Sequence, residues 1–430
     1  MIENISDDLA MIISLNKKYK NSSSPWYHQG NNLSKILFIS GSIGMGHVTR
    51  DLAIAREFRK VQPNAEIIWL AGEPAVTVLR NAGEKLAPEA GEYNLETDNI
   101  LTDASNFSLN LAHHIMQGGT IWKEAYKQFE IVAKREKPDL VVGDEAYEIA
   151  VAFSNGQYVN MPETITIFDF VKSYPMSHSP KEMLVIWMVN RSWHKAIHRL
   201  PSKGIRNAFV GEPEDAPDEK LGLFLSNAKE SMKGMTFLGE ILRFDPKDYT
   251  DKKNVKAKLG YGDGPLIVVS IGGTAVGRPL LKLCAETYPL LKKVIPNLHM
   301  VLVGGPMLDL SNFTAPEGVE VRGFVPNLYE HFAASDISIV QAGGTTVAEL
   351  IALQKPFLYF PLEGHYEQQI CVSGKAERHK AGVKMIFSET TPENLAKTIE
   401  QNIGIQTSYK PIRTGGEKRM AELMTKVLAG

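Results

Sequence analysis

Cysteine is almost missing from this 430-residue chain: there are two, Cys284 and Cys371. They stand in no CxxC spacing and beside no histidine pattern. That argues against a disulfide framework or a thiolate metal site and fits buried, reduced thiols in a reducing compartment. An excess of one charge is missing too. With 47 Lys and Arg against 49 Asp and Glu, the net charge is -2, so the chain lacks the basic face of a nucleic-acid binder. No apolar run approaches the roughly 18 residues of a membrane span. The opening MIENISDDLAMIISLNKKYK puts acids ahead of a short apolar stretch, the reverse of a secretory signal. Asp-x-Asp pairs are absent, and neither His365 among its carboxylates nor the His113–His114 pair supplies a metal-ligand set. These absences lead us to expect a soluble, cytoplasmic protein with no metal and no cofactor, touching at most the inner face of a membrane.

What is present is alternation. KILFIS, AEIIWL, DLVVGD and TITIF in the first half, and LIVVSI, LHMVLVG, DISIV and PFLYF in the second, are short apolar runs separated by longer amphipathic segments. Continuous apolar strands alternating with helices indicate parallel sheets covered on both faces, an α/β architecture with two doubly wound, Rossmann-like domains. The expected division is an appended extension over 1–34, a first domain over 35–243, a second over 244–405, and a tail helix over 406–430. Ligands in such sheets bind beyond the carboxyl ends of the strands, so two domains facing each other leave a cleft.

Five loops at strand ends carry chemistry. Asp336 to Gln368, DISIVQAGGTTVAELIALQKPFLYFPLEGHYEQ, delivers Gly343, Gly344, Thr345 and Thr346 to a helix start, where unpaired N–H groups make an anion site. Glu349 follows about one turn later. VVSIGGTAVGR repeats the device with Gly272, Gly273 and Thr274. SGSIGMGHVTR places Gly44, Gly46 and His47 after the first strand. Its glycine order, and the lack of an acid ending AEIIWL, disfavour a nicotinamide dinucleotide site. A helix N-terminus disfavours the imidazolium, so His47 is expected to be neutral and able to accept a proton, with a helix cap as the plainer alternative. Asp144 and Glu145 end DLVVGDE on the same side; Asp144 is the one chosen to orient the imidazole, the alternative being that both cap the next helix. Arg243 at the interdomain hinge offers a planar fork suited to a diphosphate, or a solvated surface charge. In PLEGHYEQ, Glu363, His365, Glu367 and Gln368 suit a polyhydroxylated ligand, or form an ordinary polar loop. The segment 181–200, with Trp187 and Trp193, reads as a core-packing helix in preference to a lipid face.

From about Lys35 to Met424 the chain resembles the GT-B nucleotide-sugar glycosyltransferases. It is similar to the lipid-linked N-acetylglucosaminyltransferase of peptidoglycan synthesis and to the UDP-glucuronosyltransferase and antibiotic glycosyltransferase groups. RGFVPNLYEHFAASD, AGGTTVAEL and KPFLYFPLEGHYEQ carry that resemblance in order and spacing. It implies that the backbone at Phe324 and Val325 holds the base, Gly343 to Thr346 the diphosphate, Glu349 the ribose, and Glu367 and Gln368 the sugar. Gly272, Gly273 and Thr274 match the second phosphate loop, and Arg243 the linker arginine. His47 falls where the family has its base, and Asp144 where some members have a dyad carboxylate. Gln341 departs from the usual His, Ser or Arg before the glycine turn.

The implied activity is metal-independent, inverting transfer of a sugar, most readily from a UDP-sugar, to an acceptor hydroxyl on a carbohydrate, a lipid-linked or a small molecule. The nucleotide-sugar is then a substrate and not a cofactor. The nearest alternative is a UDP-sugar hydrolase of the pseudaminic-acid type, whose N-terminal loop IGMGHVTRDLAIA also resembles; the extra material over 86–135 and 170–220 suits an acceptor pocket and favours transfer. A sugar-nucleotide 2-epimerase is disfavoured by its missing Gly-Thr-Arg-Pro-Glu loop. A non-catalytic nucleotide-sugar-binding protein is the alternative from another class.

Overall fold

The computed structural model describes residues 34–41, 45–93, 104–105, 107–109, 111–154, 162–177, 179–201, 204–273, 275–311 and 313–430. The extension over 1–33, Gly44 and Thr274 lie outside them, as do the side chains of His113 and His114.

All eight apolar runs are strands. In the first half they are β1 (Lys35–Ile39), β2 (Glu66–Leu70), β6 (Leu140–Asp144) and β7 (Glu163–Phe168). Three further strands complete that sheet: β3 (Lys85–Leu86), β8 (Ile205–Val210) and β9 (Thr236–Gly239). Its order is β3-β2-β1-β6-β7-β8-β9, with every named pair parallel. β1 is buried on both faces because its neighbours β2 and β6 and the helices above and below exclude water, which is why KILFI is apolar without alternation. β8 lies inside the 170–220 stretch expected to be acceptor-pocket material. That stretch therefore builds the sheet as well as the cleft.

The second sheet has β10 (Leu266–Ser270), β11 (His299–Val303), β12 (Val319–Arg322), β13 (Ile337–Gln341), β14 (Phe357–Phe360) and β15 (Val383–Lys384) in the order β12-β11-β10-β13-β14-β15. The strand order reverses at β10/β13, and a crevice opens at such a switch point beyond the carboxyl ends. The GGTT turn and the Gly272–Gly273 turn both leave from these two strands.

Two features tie the halves together. The last helix, Gly416–Ala429, buries Met420, Ala421, Met424 and Val427 in the same core as Val48, Leu52 and Phe58 of the helix Met45–Val61. The short antiparallel pair β4 (Ala104–Ser105) and β5 (Ser108–Leu109) carries Phe107 into the core of the second domain, stacked on Phe387 at 4.5 Å and edge-on to Phe360.

The helix Pro180–Arg199 turns Ile186, Trp193, Ala196 and Ile197 inward, as the core-packing reading requires, but it leaves Met183 and Leu184 exposed. Leu223 and Phe224 are exposed as well, and the Trp187 indole donates to the Leu223 carbonyl. Among the described residues no helix is long and apolar enough to cross a membrane.

Candidate active site

A cavity of about 280 Å³ fills the cleft between the two sheets. Its second-domain wall is made of backbone. The helix Gly344–Ala352 begins at Gly343 without any side-chain cap, so the first amides of Gly344, Thr345 and Thr346 keep their donors for whatever occupies the cleft. Beside it, Gly272 adopts φ +76°, and a Cβ on the neighbouring Gly305 would meet the Gly272 carbonyl oxygen at 2.2 Å. That crowding requires glycine at 305 and holds the turn against the cavity.

Glu349 is buried and lines the same cavity. Arg243 reaches it from the hinge with Nε 3.3 Å from Oε1, donates from a terminal nitrogen to the Pro326 carbonyl at 2.8 Å, and lies over the Tyr329 ring. Burial raises the Glu349 carboxyl and Arg243 opposes that. The arginine assigned to a diphosphate and the acid assigned to a ribose are thus partners across the mouth of the donor wall. Phe324 and Val325 line the cavity nearby, Phe324 partly exposed to solvent. Glu367 and Gln368 open a π-helical turn, Glu367–Val372, a distortion that recurs at functional positions. Gln368 spends its side-chain oxygen on the Leu362 amide, while Glu367 faces the cleft. Two buried atoms there have no partner, Gln341 Oε1 and His365 Nδ1. Both residues line the cavity.

The first-domain wall holds charge. His47, in the first turn of Met45–Val61, sets Nδ1 3.3 Å from Asp144 Oδ2 and Nε2 3.2 Å from Glu145 Oε2. Arg50, three residues on and so on the same helix face, is buried. It donates to both Asp144 oxygens, lies 2.9 Å from His47 Nδ1, and grips Asp169 with 2.7 and 2.6 Å bonds. Asp144 is fully buried and is held below the usual carboxylate range: burial alone would raise it, but Arg50 and His47 outweigh burial.

One expectation is overturned. His47 is not kept neutral by its helix terminus. Burial works against its charge, yet the adjacent Glu145 and Asp144 carboxylates push it up to about 10. Close carboxylates outweigh the partial charge of a helix end. Glu145, with burial as the main cause, is itself pushed up to about 8. His47, Glu145 and Asp169 lie within 4.8 Å of one another, a grouping that could seat a cation. The Arg50 guanidinium already supplies that positive charge to Asp169 with two hydrogen bonds.

The walls touch where a Cβ added to Gly46 would meet Thr345 Oγ1 at 2.7 Å. Further along, Tyr147, Phe170, Val189, Trp193 and Tyr366 make an aromatic end to the cavity. The Tyr366 hydroxyl and Ser173 Oγ meet at 3.1 Å across the interface.

The comparisons with known proteins agree on what this cleft belongs to. Residues 267–422 match the glycosyltransferase family 28 C-terminal domain. The chain is 31% identical over 371 residues to an uncharacterized glycosyltransferase of Methanosarcina mazei, covering 83% of this chain and 86% of that one. The chain belongs to the glycosyltransferases. It is also similar to the UDP-N-acetylglucosamine--N-acetylmuramyl-(pentapeptide) pyrophosphoryl-undecaprenol N-acetylglucosamine transferase of Carboxydothermus hydrogenoformans, at 25% identity over 409 residues, 92% of this chain and 93% of that one. The solved glycotransferase of kitacinnamycin shares its GT-B fold, with a TM-score of 0.54 at 16% identity over 92% of this chain and 94% of that one.

In this glycosyltransferase the sequence-assigned site residues within the described set line this cavity, except Asp144, which sits directly behind His47, and Glu363, which is not in its lining and accepts from the Ser388 amide. Arg50 and Asp169 were missed. The signals were there: Arg50 is one helical turn from His47, and Asp169 follows directly on the strand TITIF.

Proposed function

We propose that the protein moves a sugar from a nucleoside-diphosphate sugar, most readily a UDP-sugar, to an acceptor hydroxyl with inversion and without a metal. The observation that carries this is the uncapped helix start at Gly343–Thr346 facing His47 across a shared cavity. A diphosphate seated on those amides has its leaving charge stabilised by fixed donors and by the nearby Arg243. Glu349 accepts hydrogen bonds from the ribose hydroxyls, the backbone at Phe324 and Val325 borders the base, and Glu367 and Gln368 border the sugar. The cluster of His47 with its Asp144 and Glu145 partners stands on the opposite wall as the base for the acceptor hydroxyl. The aromatic end gives an acceptor an apolar surface to lie on. The exposed Leu184, Leu223 and Phe224 make peripheral contact with the inner face of a membrane compatible with this arrangement.

Calorimetric titration of UDP into the wild type and Gly343→Ala tests the donor assignment. A Cβ at Gly343 meets nothing within 4 Å, and φ there is -71°, so the variant folds normally. Gly343 lines the cavity and the space around the added methyl group is open, so UDP affinity is expected to fall about tenfold, roughly 1.4 kcal/mol. Unchanged UDP affinity places the diphosphate elsewhere.

A further inference from the structure

Glu145 stands apart from the donor wall, and its setting is unusual. It follows Asp144 at the end of β6 in a left-handed conformation, φ +51°, which a non-glycine residue occupies at a cost. Its carboxylate is buried yet lines the cavity. The Tyr147 hydroxyl donates to Oε1 at 2.8 Å, which leaves Oε2 against His47 Nε2 at 3.2 Å. The other ring nitrogen, Nδ1, is enclosed by Asp144 and Arg50. No edge of the imidazole therefore meets an acceptor without Glu145 beside it.

We propose that Glu145 is a second catalytic residue and that the base is the His47–Glu145 pair, not His47 alone. The inference rests on the transfer reading above. The pair begins with one proton between Nε2 and Oε2. The acceptor O–H bond breaks and its proton goes to the Glu145 carboxylate. The freed oxygen bonds the anomeric carbon, whose bond to the phosphate oxygen breaks with its electron pair leaving on the diphosphate. The pair ends with two protons, an imidazolium and a carboxylic acid. Asp144 and Arg50 fix the ring throughout. Retaining a proton on His47 is what lets Glu145 remain ionised beside Asp144, Asp169 and Glu367, which together with burial push its carboxyl up to about 8. The sign follows: below about pH 8 the carboxyl is protonated and cannot accept a proton, so turnover rises with pH toward 8 and levels above it.

The test measures UDP release from whichever of UDP-N-acetylglucosamine, UDP-glucose, UDP-galactose and UDP-glucuronic acid the wild type turns over. A mixture of lipid-linked, carbohydrate and aromatic hydroxyl acceptors is supplied with each donor. Glu145→Gln keeps the shape and can still accept from Tyr147. It is expected to lose roughly 10²-fold in kcat, keep UDP affinity within about threefold (under 1 kcal/mol), and lose the rise toward pH 8. Because the pair acts as a unit, His47→Ala combined with Glu145→Gln is expected to be no slower than the worse single variant. Glu145→Gln with wild-type kcat and pH profile overturns the role of Glu145 while leaving transfer intact. No UDP release by the wild type overturns the transfer reading and this proposal with it.

Discussion

Replacing His47 with alanine is expected to lower sugar transfer by roughly 10²–10⁴-fold, the usual contribution of a positioned acid or base, with UDP affinity nearly unchanged. The separation of the two effects follows from the geometry. His47 lies on the first-domain wall against Asp144, Glu145 and Arg50, whereas the uncapped amides and Glu349 lie on the second. Deleting the imidazole removes the cation that keeps Glu145 ionised in its buried site, so the base is lost even though one carboxylate remains. The measurement is kcat alongside calorimetric UDP binding. A parallel loss of both would mean that His47 supports the cleft and not the reaction.

The largest effect on stability is expected at Arg50. Arg50→Met removes the guanidinium that joins the partly buried Asp169 to Asp144, which has no exposed surface and keeps only His47 as a cationic neighbour. Removing one partner of a buried ion pair costs about 3–5 kcal/mol. For a chain of 430 residues that is a fall in melting temperature of roughly 3–6 °C. The pH dependence has a definite sign. In the wild type Asp144 is depressed below its unfolded value of about 3.9, so its contribution is present above that pH and is lost only as pH falls through the lower folded value. In the variant only His47 still opposes burial, so the Asp144 carboxyl rises from its wild-type value and the folded variant takes up a proton at higher pH than wild type, which lessens the penalty as pH falls. The penalty, measured by thermal melts against wild type, is expected to be smaller at pH 5 than at pH 8. A pH-independent penalty would assign the loss to packing alone.

Much of the fold was legible because parallel strands buried on both faces read as apolar runs, and KILFI, LIVVS and ISIVQ are of that kind. The strands that went unread are short or polar for physical reasons. VEVR and VK sit at sheet edges, and IRNAFV carries Asn207, whose side chain is bonded to Thr166 inside the sheet. In the site, glycine turns at strand ends announced the donor wall. The charged wall was only half readable. Arg50 and Asp169 are 119 positions apart and are joined by packing alone, with nothing local to link them. The state of His47 could not be read either, because it depends on which carboxylate faces which ring nitrogen. Sequence alone favours Asp144 over Glu145 as the carboxylate that acts. The structure shows that they occupy opposite edges of one imidazole, and that difference decides their chemistry.

The most direct test of the donor-cleft account follows the fate of the sugar. A panel of radiolabelled UDP-sugars is incubated with the enzyme, with and without a mixture of lipid-linked, carbohydrate and aromatic hydroxyl acceptors, and the products are separated and weighed. Transfer requires one donor to release UDP faster when acceptors are present, with the label appearing on a product one sugar residue heavier than its acceptor. Stoichiometric free sugar at a rate indifferent to acceptors would make the enzyme a hydrolase, and UDP binding without any turnover would leave it a sensor; either result contradicts the account.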